Sequence, residues 1–366
     1  MRVRRACIVL VFILVGCGGS PSGSRATAGA TVYSTPALGT ASPSSTPAGL
    51  GALPLGVIVK DFLVEGGATY SVSLVGVDGL VKATATGAKR SQPAGILVQM
   101  PNISTSDSRL YFLDGDSKVM YLRPDGATGL ATTISMDSNS AAVFAVSPDD
   151  TRIAVAVITF PFPARTRIYV EDLSGGGHHI ELFSSNTVIE WPVGWHQGHL
   201  VIGIGLNAHP QNAYEGFAWG YLGYHVADPS TGNRLATVCD GYYAFAPPVA
   251  AGTVCSNGSS YQESDWSGVT RAVPADSGCG GGALSTDGSQ IADCQGSQRT
   301  VALVTRDGSI RSTSYQGTPA GWIDANHLVA NSSVVDHSLS VIDARSLAVT
   351  PIQAQGFFAG SIPGGL

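Results

Sequence analysis

Charged side chains are scarce in this sequence. Asp, Glu, Lys and Arg make up 13% of its 366 residues, about half the share that is usual in soluble domains. The 26 acidic residues outnumber the 20 basic ones, which gives a formal charge of −6. A nucleic-acid-binding domain needs clustered basic residues to neutralise phosphates, so the composition excludes a nucleic-acid partner.

Strong helix formers are also few, whereas Gly and Pro are abundant. The sequence has 4 Met, 46 Gly and 20 Pro, and 44% of its residues are apolar. This apolar share suffices for a large buried core and excludes disorder of the whole chain. From about residue 56 onward, short β runs alternate with turn signals and show no helical period. The sequence therefore predicts an all-β fold.

The N-terminal apolar run is too short to span a membrane. Arg2, Arg4 and Arg5 precede an 11-residue apolar run at residues 6–16, whereas a spanning helix needs about 20 residues. Basic residues followed by such a run are typical of an export signal. The run ends in Leu-Val-Gly-Cys at residues 14–17, which resembles the lipobox of bacterial lipoproteins. The alternative is an ordinary secretory signal that contains a Cys.

The lipobox resemblance implies that residues 1–16 are removed and that Cys17 becomes a lipidated N-terminus. The protein would then be anchored in a membrane of the cell envelope and face the extracytoplasmic side, with its formal charge changed from −6 to −9. In residues 18–50, Gly, Ser, Thr, Pro and Ala account for 28 of 33 positions. Such a segment has too little apolar surface to fold, so residues 17–50 are predicted to be a disordered tether.

Internal repeats define the architecture of the remainder. Residues 144–155 and 283–292 both read as a strand, a four-residue polar turn, a long polar residue and a second strand. A Gly-Trp pattern recurs at residues 194–201 and 321–329, and weaker copies occur at 104–111 and 249–254. The polar residues before the second strands lie 37 to 54 positions apart, about the length of a four-stranded propeller blade. These anchor residues are Arg109, Arg152, His199, Thr253, Gln290 and His327.

The first blade lacks an obvious innermost strand. Residues 70–77 and 80–86 supply two of its strands, and residues 355–362 form a leftover strand at the end of the sequence. This C-terminal strand can close the ring as the missing element. We predict a β-propeller domain over residues 51–366 with seven four-stranded blades, six or eight being the alternatives because the first and fifth are poorly marked.

The repeats resemble those of a known family. The Ser-Pro-Asp turn at residues 147–149, followed by Arg-Ile-Ala-Val at 152–155, resembles the WD40-like repeats of bacterial exported propellers, including the C-terminal domain of the TolB family. The resemblance covers residues 55–366 and implies a β-propeller. The sequence has no Trp-Asp dipeptide, and the tether replaces TolB's folded N-terminal domain. The resemblance therefore implies a fold and not TolB's role in its envelope complex.

Four cysteines remain for the propeller. They allow three pairings, and the repeat favours one of them, because Cys255 and Cys294 lie on second strands while Cys239 and Cys279 precede the first strands of the same blades. We predict the disulfides Cys239–Cys255 and Cys279–Cys294, formed in an oxidising compartment. The alternative is a metal site with four thiolates, which the absence of any Cys-x-x-Cys pair disfavours.

Motifs for catalysis are absent. The sequence has no Gly-x-Ser-x-Gly, His-Glu-x-x-His or Walker motif. His196 and His199 have a metal-ligand spacing, but His199 occupies the anchor position of the repeat. The acidic pairs at residues 114–116 and 149–150 could bind Ca²⁺, yet such residues are common in hairpin turns. We predict no metal and no cofactor, and the catalytic residues, if any, are unknown.

Two aromatic loops stand out from the repeat. A long insertion at residues 207–222 and the Phe-Pro-Phe-Pro segment at 160–163 connect second to third strands in adjacent blades three and four. Such loops emerge on one face of a propeller, and flat rings there can form a platform for a sugar or peptide. The alternative is that the rings pack on one another. The predicted ligand-binding residues are Phe160, Phe162, Tyr214, Phe217 and Trp219.

Two classes of function are compatible with these features. The favoured one is a membrane-anchored, extracytoplasmic propeller that acts as a binding or scaffold module for a protein, a peptide or a glycan. The alternative is a propeller hydrolase or lyase that acts on an envelope polysaccharide or peptide. A cluster of carboxylates or histidines at the channel mouth would favour the enzyme, and an apolar, aromatic patch would favour binding.

Overall fold

The structure, a computed structural model, describes residues 53–61, 67–91, 102–160, 165–205, 221–240, 242–244, 246–257, 260–273, 282–333 and 338–366. The chain divides into two compact units, Met1–Gly51 and Ala52–Leu366, and all the described residues belong to the second. The predicted signal peptide, the lipidated Cys17 and the whole tether therefore lie outside the described residues, and they remain predictions.

The described residues form β-strands and no helix, as the composition predicts. In particular, none of them belongs to a helix long and apolar enough to cross a membrane. In chain order the strands are β1 (Leu55–Lys60), β2 (Thr69–Gly76), β3 (Val81–Ala88), β4 (Ile103–Thr105), β5 (Leu110–Asp114), β6 (Lys118–Leu122), β7 (Thr128–Thr133), β8 (Ser140–Val146), β9 (Arg152–Thr159), β10 (Arg165–Asp172), β11 (Ile180–Ser185), β12 (Glu190–His196), β13 (His199–Gly205), β14 (Tyr221–Ala227), β15 (Arg234–Val238), β16 (Thr253–Ser256), β17 (Tyr261–Ser264), β18 (Thr270–Ala272), β19 (Ala283–Leu284), β20 (Gln290–Gln295), β21 (Thr300–Thr305), β22 (Ile310–Trp322), β23 (His327–Ser332), β24 (Leu339–Asp343), β25 (Val349–Pro351) and β26 (Phe357–Ile362).

The strands pair in antiparallel groups, which we number as sheets 1 to 7. Sheet 1 has the order β26-β1-β2-β3, and sheets 2, 3 and 4 contain β4–β7, β8–β11 and β12–β15. Sheet 5 contains β16–β18. The seven-stranded sheet β19–β25 consists of two parts that share the long strand β22: residues 310–316 pair with β21 in sheet 6, and residues 317–322 pair with β23 in sheet 7.

Sheet 5 has an irregular first strand. Tyr243 pairs with Ser256 and Val249 with Gly252 as isolated bridges. Pro247 and Pro248 lie between these bridges and have no N–H to donate to a ladder, which accounts for the interruption. The strand pairing thus gives seven groups, but several connections within and between the sheets lie outside the described residues, so the blade number of seven stays a prediction.

The sheets form a ring. The first strands of neighbouring sheets contact one another in the order β26, β4, β8 and β12, and β19 contacts β22, which contacts β26. Clusters of buried apolar side chains join sheets 1 and 2, 2 and 3, 3 to 5, 5 and 6, 6 and 7, and 7 and 1. The fold is therefore a β-propeller, as the repeats predict.

The C-terminal strand closes the ring as predicted. β26 pairs antiparallel with β1, so that Leu55 faces Ile362 and Val59 faces Phe357. β1 pairs on its other side with β2. The first sheet is therefore completed by the last strand of the sequence.

The repeated turns have repeated hydrogen bonds. We call the connection from first to second strand the first turn. In the first turns of sheets 3 and 6, Ser147 and Ser285 donate to the carboxylates of Asp149 and Asp287, and each serine hydroxyl accepts from the backbone N–H five residues later. The predicted anchor residues follow these turns. Five of them are the first residue of the second strand, and Arg109 directly precedes β5.

The connections from third to fourth strands carry a second repeated feature, the Asp-marked turns that the sequence also shows. Each of the seven sheets has one aspartate there, and six of the seven accept a hydrogen bond from the backbone N–H two residues later. A side-chain acceptor at this spacing stabilises a turn in place of a backbone carbonyl. The seven aspartates are Asp78, Asp125, Asp172, Asp228, Asp265, Asp307 and Asp343.

Candidate functional site

A cavity of about 350 Å³ lies where the first strands converge, at the end of the sheets that carries the first turns. Six of the seven sheets line it, together with residues 363–366 at the end of the sequence. Its volume is within the range of small-ligand pockets, roughly 300–1,000 Å³. We call it the channel cavity. The residues that line it are Pro54, Ile103, Ser104, Thr105, Val193, Gly194, Trp195, Pro247, Pro248, Val249, Ala250, Thr286, Trp322, Ile323, Asp324, Phe358, Ala359, Gly360, Ser361, Pro363, Gly364, Gly365 and Leu366.

The walls of the channel cavity are largely apolar. Asp324 is the only ionisable side chain among the described lining residues. Its carboxylate accepts hydrogen bonds from the backbone N–H groups of Asn326 and His327, and the Nδ1 atom of His327 lies 2.8 Å from it. This carboxylate is engaged within its own turn by these groups, and His327 itself is not among the lining residues. The rest of the described walls offer apolar contact together with hydroxyl and backbone hydrogen-bonding groups.

The two Gly-Trp repeats place indoles in equivalent positions of the wall. Trp195 in sheet 4 and Trp322 in sheet 7 are buried, and each donates its indole N–H to a first-strand carbonyl of the preceding sheet, at 3.2 Å to Ala145 and at 2.9 Å to Ala283. The guanidinium carbon of Arg152 lies 4.7 Å from the ring centre of Trp195. These bonds join neighbouring sheets and give the channel a rigid wall.

The last residues of the sequence lie across the first turns. Gly364 donates its N–H to the carbonyl of Ser106 at 2.7 Å, and Leu366 donates its N–H to the carbonyl of Trp195 at 2.8 Å. The Nδ1 of His196 donates to the carbonyl of Leu366 at 2.6 Å. Burial lowers the pKa of His196, which favours the neutral imidazole that makes this bond.

The predicted aromatic platform lies almost entirely outside the described residues. Phe162 falls in residues 161–164, and Tyr214, Phe217 and Trp219 fall in residues 206–220. Phe160 is described. Its side chain is 6% exposed and belongs to the core cluster between sheets 3 and 5, so it does not present its ring at the surface.

One predicted disulfide is present. Cys239 follows β15 in sheet 4 and is bonded to Cys255 on β16 in sheet 5, with their Cα atoms 5.9 Å apart. Cys294 on β20 is also disulfide-bonded, whereas Cys279, its predicted partner, lies outside the described residues. The Cys239–Cys255 bond covalently joins two neighbouring sheets.

The described residues contain no group of three or more His, Cys, Asp or Glu side chains arranged to hold a metal ion. The acidic pair at residues 114–116 makes contacts within the fold. Asp114 accepts from the N–H of Ala88, and Asp116 accepts from the N–H and hydroxyl of Ser91. These carboxylates therefore stabilise connections between strands.

A buried carboxylate–imidazole pair was not predicted from the sequence. Glu190 on β12 and His225 on β14 are 5% and 7% exposed, and their Oε1 and Nε2 atoms lie 3.3 Å apart. Glu190 is the first residue of β12, whereas Trp195 at the channel cavity is close to its other end. In the sequence, only the position of Glu190 at the start of a mostly apolar strand could have indicated this pair. The pair lies in sheet 4, away from the channel cavity.

Comparisons with known proteins show a fold and no family. No protein-family model matches the chain, and no curated protein matches it. Solved structures that it resembles include an oligogalacturonate lyase in complex with manganese, at 11% identity and a TM-score of 0.46, with 76% of this chain and 88% of that chain covered.

Two further solved structures resemble the chain at similar levels. TolB from Acinetobacter baumannii is 12% identical with a TM-score of 0.40, and the match covers 84% of this chain and 66% of that one. A protein from Lactobacillus plantarum is 14% identical with a TM-score of 0.43, and the match covers 84% and 99% of the two chains. At these identities the likeness concerns the β-propeller fold alone.

Proposed function

We propose that this protein is an envelope lipoprotein whose β-propeller binds a protein, peptide or glycan in the channel cavity and catalyses no reaction. The observation that carries the proposal is the chemistry of the described walls. They combine apolar side chains with one carboxylate that its own turn already satisfies. Pockets that hold ligands by contact are mostly apolar with a few placed polar groups.

Hydrolysis or elimination needs different chemistry. A glycosidase uses two carboxylates that flank the scissile bond, and a general acid–base reaction needs a titratable group within hydrogen-bond reach of the substrate. Among the described lining residues, Asp324 alone is titratable. The buried pair of Glu190 and His225 lies nearer the opposite end of sheet 4. Binding is therefore the function that the geometry favours.

The membrane anchor of this proposal rests on the lipobox at residues 14–17. Replacement of the Cys17 sulfur removes the site of lipid attachment, so Cys17→Ser should release the protein from the membrane fraction. Fractionation of cells that express the full chain and its Cys17→Ser variant measures this. If both chains sediment equally with membranes, the lipoprotein assignment is wrong.

A pair of matched variants tests the channel cavity as the binding site. Ala250 is an exposed lining residue on a first turn, and Ala127 is an exposed residue on a third-to-fourth-strand turn outside the cavity. Ala250→Trp places an indole at the cavity mouth, and Ala127→Trp adds the same ring elsewhere. Envelope proteins and glycans captured by the detergent-solubilised full chain should be lost with Ala250→Trp and kept with Ala127→Trp.

Two results would contradict the proposal. Equal capture by both variants would place the binding site away from the channel cavity. Cleavage of an envelope polysaccharide or peptide by the purified full chain, with loss of cleavage in Ala250→Trp, would show that the protein is an enzyme.

A further inference from the structure

The segment formed by residues 363–366, which we call the tail, is bound as an extended peptide. After β26 it passes over the first turns of sheets 2, 3 and 4. It meets the carbonyl of Ser106 in sheet 2, the side chain of Pro148 in sheet 3, and the carbonyl of Trp195 in sheet 4. Two backbone donors of the tail thus pair with backbone acceptors of the ring, one in the first turn of sheet 2 and one near the end of β12.

A leucine pocket accompanies these backbone bonds. A Cβ atom added at Gly194 would lie 2.8 Å from Cδ1 of Leu366, and its three nearest atoms would all belong to that leucine. Gly194 therefore leaves room for the Leu366 side chain, which packs on the core cluster of sheets 3 to 5. His196 fixes the carbonyl of the same residue from the other side.

The two glycines of the tail are required by close approach and by backbone conformation. A Cβ atom at Gly364 would lie 2.6 Å from the carbonyl oxygen of Thr105, too close for any side chain there. Gly365 has a φ of +113°, a conformation that favours glycine. The site therefore selects two consecutive glycines followed by an aliphatic residue.

The tail is not needed to close the ring. The β26–β1 ladder ends at Ile362, before the tail begins. The tail also leaves the channel cavity of about 350 Å³ unfilled, although its residues line it. Its contacts with the first turns and with Trp195 therefore lie outside the ladder that closes the ring.

We propose that the first turns of sheets 2 to 4 form a peptide-binding site for an extended Pro-Gly-Gly-Leu segment. The protein's own tail occupies this site, and a second chain with the same pattern binds when the tail is displaced. This inference rests on the proposed binding function and specifies its ligand as a peptide with two consecutive glycines and an aliphatic residue over Gly194.

The test uses the full chain and a fluorescently labelled synthetic peptide with the sequence of residues 361–366, Ser-Ile-Pro-Gly-Gly-Leu. Leu366→Gly removes the side chain that holds the tail and leaves the leucine pocket empty. Fluorescence anisotropy should show the peptide binding this variant at least about tenfold more tightly than the wild type, a factor expected from a half-buried leucine side chain.

Two controls make the result specific. The double variant Gly194→Ala, Leu366→Gly fills the leucine pocket with a methyl group and should bind the peptide at least about tenfold more weakly than Leu366→Gly does. A peptide with valine in place of its first glycine should not bind Leu366→Gly, because the added side chain meets the Thr105 backbone.

Three outcomes would overturn the inference. They are no binding of the peptide to Leu366→Gly, equal binding to the double variant, and failure of Leu366→Gly to fold, which would make the tail part of the fold. If Ala250→Trp abolishes envelope capture but the peptide binds none of the variants, this inference fails and the proposed function stands. If capture is independent of Ala250 but the peptide binds as expected, the proposed ligand cavity is wrong and the peptide site remains.

Discussion

The indole N–H of Trp322 donates a 2.9 Å hydrogen bond to the carbonyl oxygen of Ala283, which lies on the first strand of the preceding sheet. Trp195, three sheets earlier in the ring, makes the equivalent bond to the carbonyl oxygen of Ala145. The Gly-Trp repeat of the sequence is therefore a repeated connection between sheets. Both acceptor residues and both rings are buried, so each bond is protected from water.

We expect Trp322→Phe to lower the free energy of unfolding by about 1–3 kcal/mol. An aromatic ring is kept, but the smaller ring leaves a cavity and the buried Ala283 carbonyl loses the indole donor that joins the two sheets. Urea unfolding followed by circular dichroism measures the change. Tyr315→Phe is the control, because it removes a partly buried hydroxyl whose bond to the Ala330 carbonyl is long, at 3.4 Å. Equal stability of Trp322→Phe and the wild type would contradict the assigned role.

Local patterns made most of the fold predictable. The polar turn and the residue after it form a motif of a few residues that recurs from blade to blade. The second strands at Arg152, Gln290 and His327 could therefore be placed from the sequence. The first strand of sheet 5 could not be recognised, because Pro247 and Pro248 break its ladder. The fusion of two sheets through β22 was also missed, since only the pairing of its two halves with different strands reveals it.

The Cys239–Cys255 disulfide should contribute on the order of 3 kcal/mol in the chain-entropy model, given the sequence separation of 16 between its cysteines. The double variant Cys239→Ala, Cys255→Ala is expected to unfold at correspondingly lower urea concentration. Intact-mass analysis before and after reduction provides a second measurement. Two disulfides in the purified protein would also support the predicted Cys279–Cys294 bond, and four free thiols in the propeller would refute both.

His179 should make stability depend on pH. Its imidazole lies 2.9 Å from Glu171 and 3.0 Å from Glu181, and these hydrogen bonds raise its pKa above the ordinary 6.5. A raised pKa means that the proton is bound more tightly in the folded state. The stabilisation is therefore complete below pH 6.5 and disappears as the pH rises through the higher, folded-state value.

The measurement is the difference in melting temperature between the wild type and His179→Gln from about pH 5.5 to about pH 8.5, a range that brackets the titration of histidine. The difference should be positive at the acidic end and shrink toward the alkaline end. Burial lowers the pKa of His196, so this residue changes the stability with pH in the opposite direction. Subtracting the melting temperatures of His179→Gln from those of the wild type removes this shared contribution. His178→Gln is the neighbouring control, because its ring is 88% exposed. A difference that grows with pH would contradict the assignment.

Trp219 tests the predicted aromatic platform. It belongs to the connection between β13 and β14, which starts at the opposite end of sheet 4 from the first turn. If the predicted aromatic platform binds the ligand, Trp219→Ala should weaken binding by at least about 1 kcal/mol and leave the melting temperature unchanged. If the channel cavity is the site, Ala250→Trp abolishes capture and Trp219→Ala leaves it intact. A lower melting temperature without loss of binding would show that the loop is self-packed.

The candidate site was less predictable than the fold. The irregular aromatic loops were the predicted site, because long non-repeating loops often carry function. The first turns are short and regular, which is typical of structural connections. The channel cavity nevertheless arises where six sheets bring such turns together. Neither Gly194 nor Leu366 belongs to a sequence pattern that links the two, so their contact emerges only when the ring closes.

The pairing of β26 with β1 also determines when the molecule can finish folding. The residues of this ladder lie at the two ends of the propeller, with Leu55 facing Ile362, so the last step closes a loop that contains almost the whole domain. Until residues 357–362 have been synthesised, β1 presents an unpaired edge on which a second chain can add a strand. A premature stop between β25 and β26 would thus produce an aggregation-prone product, even though sheets 2 to 7 have their complete sequence.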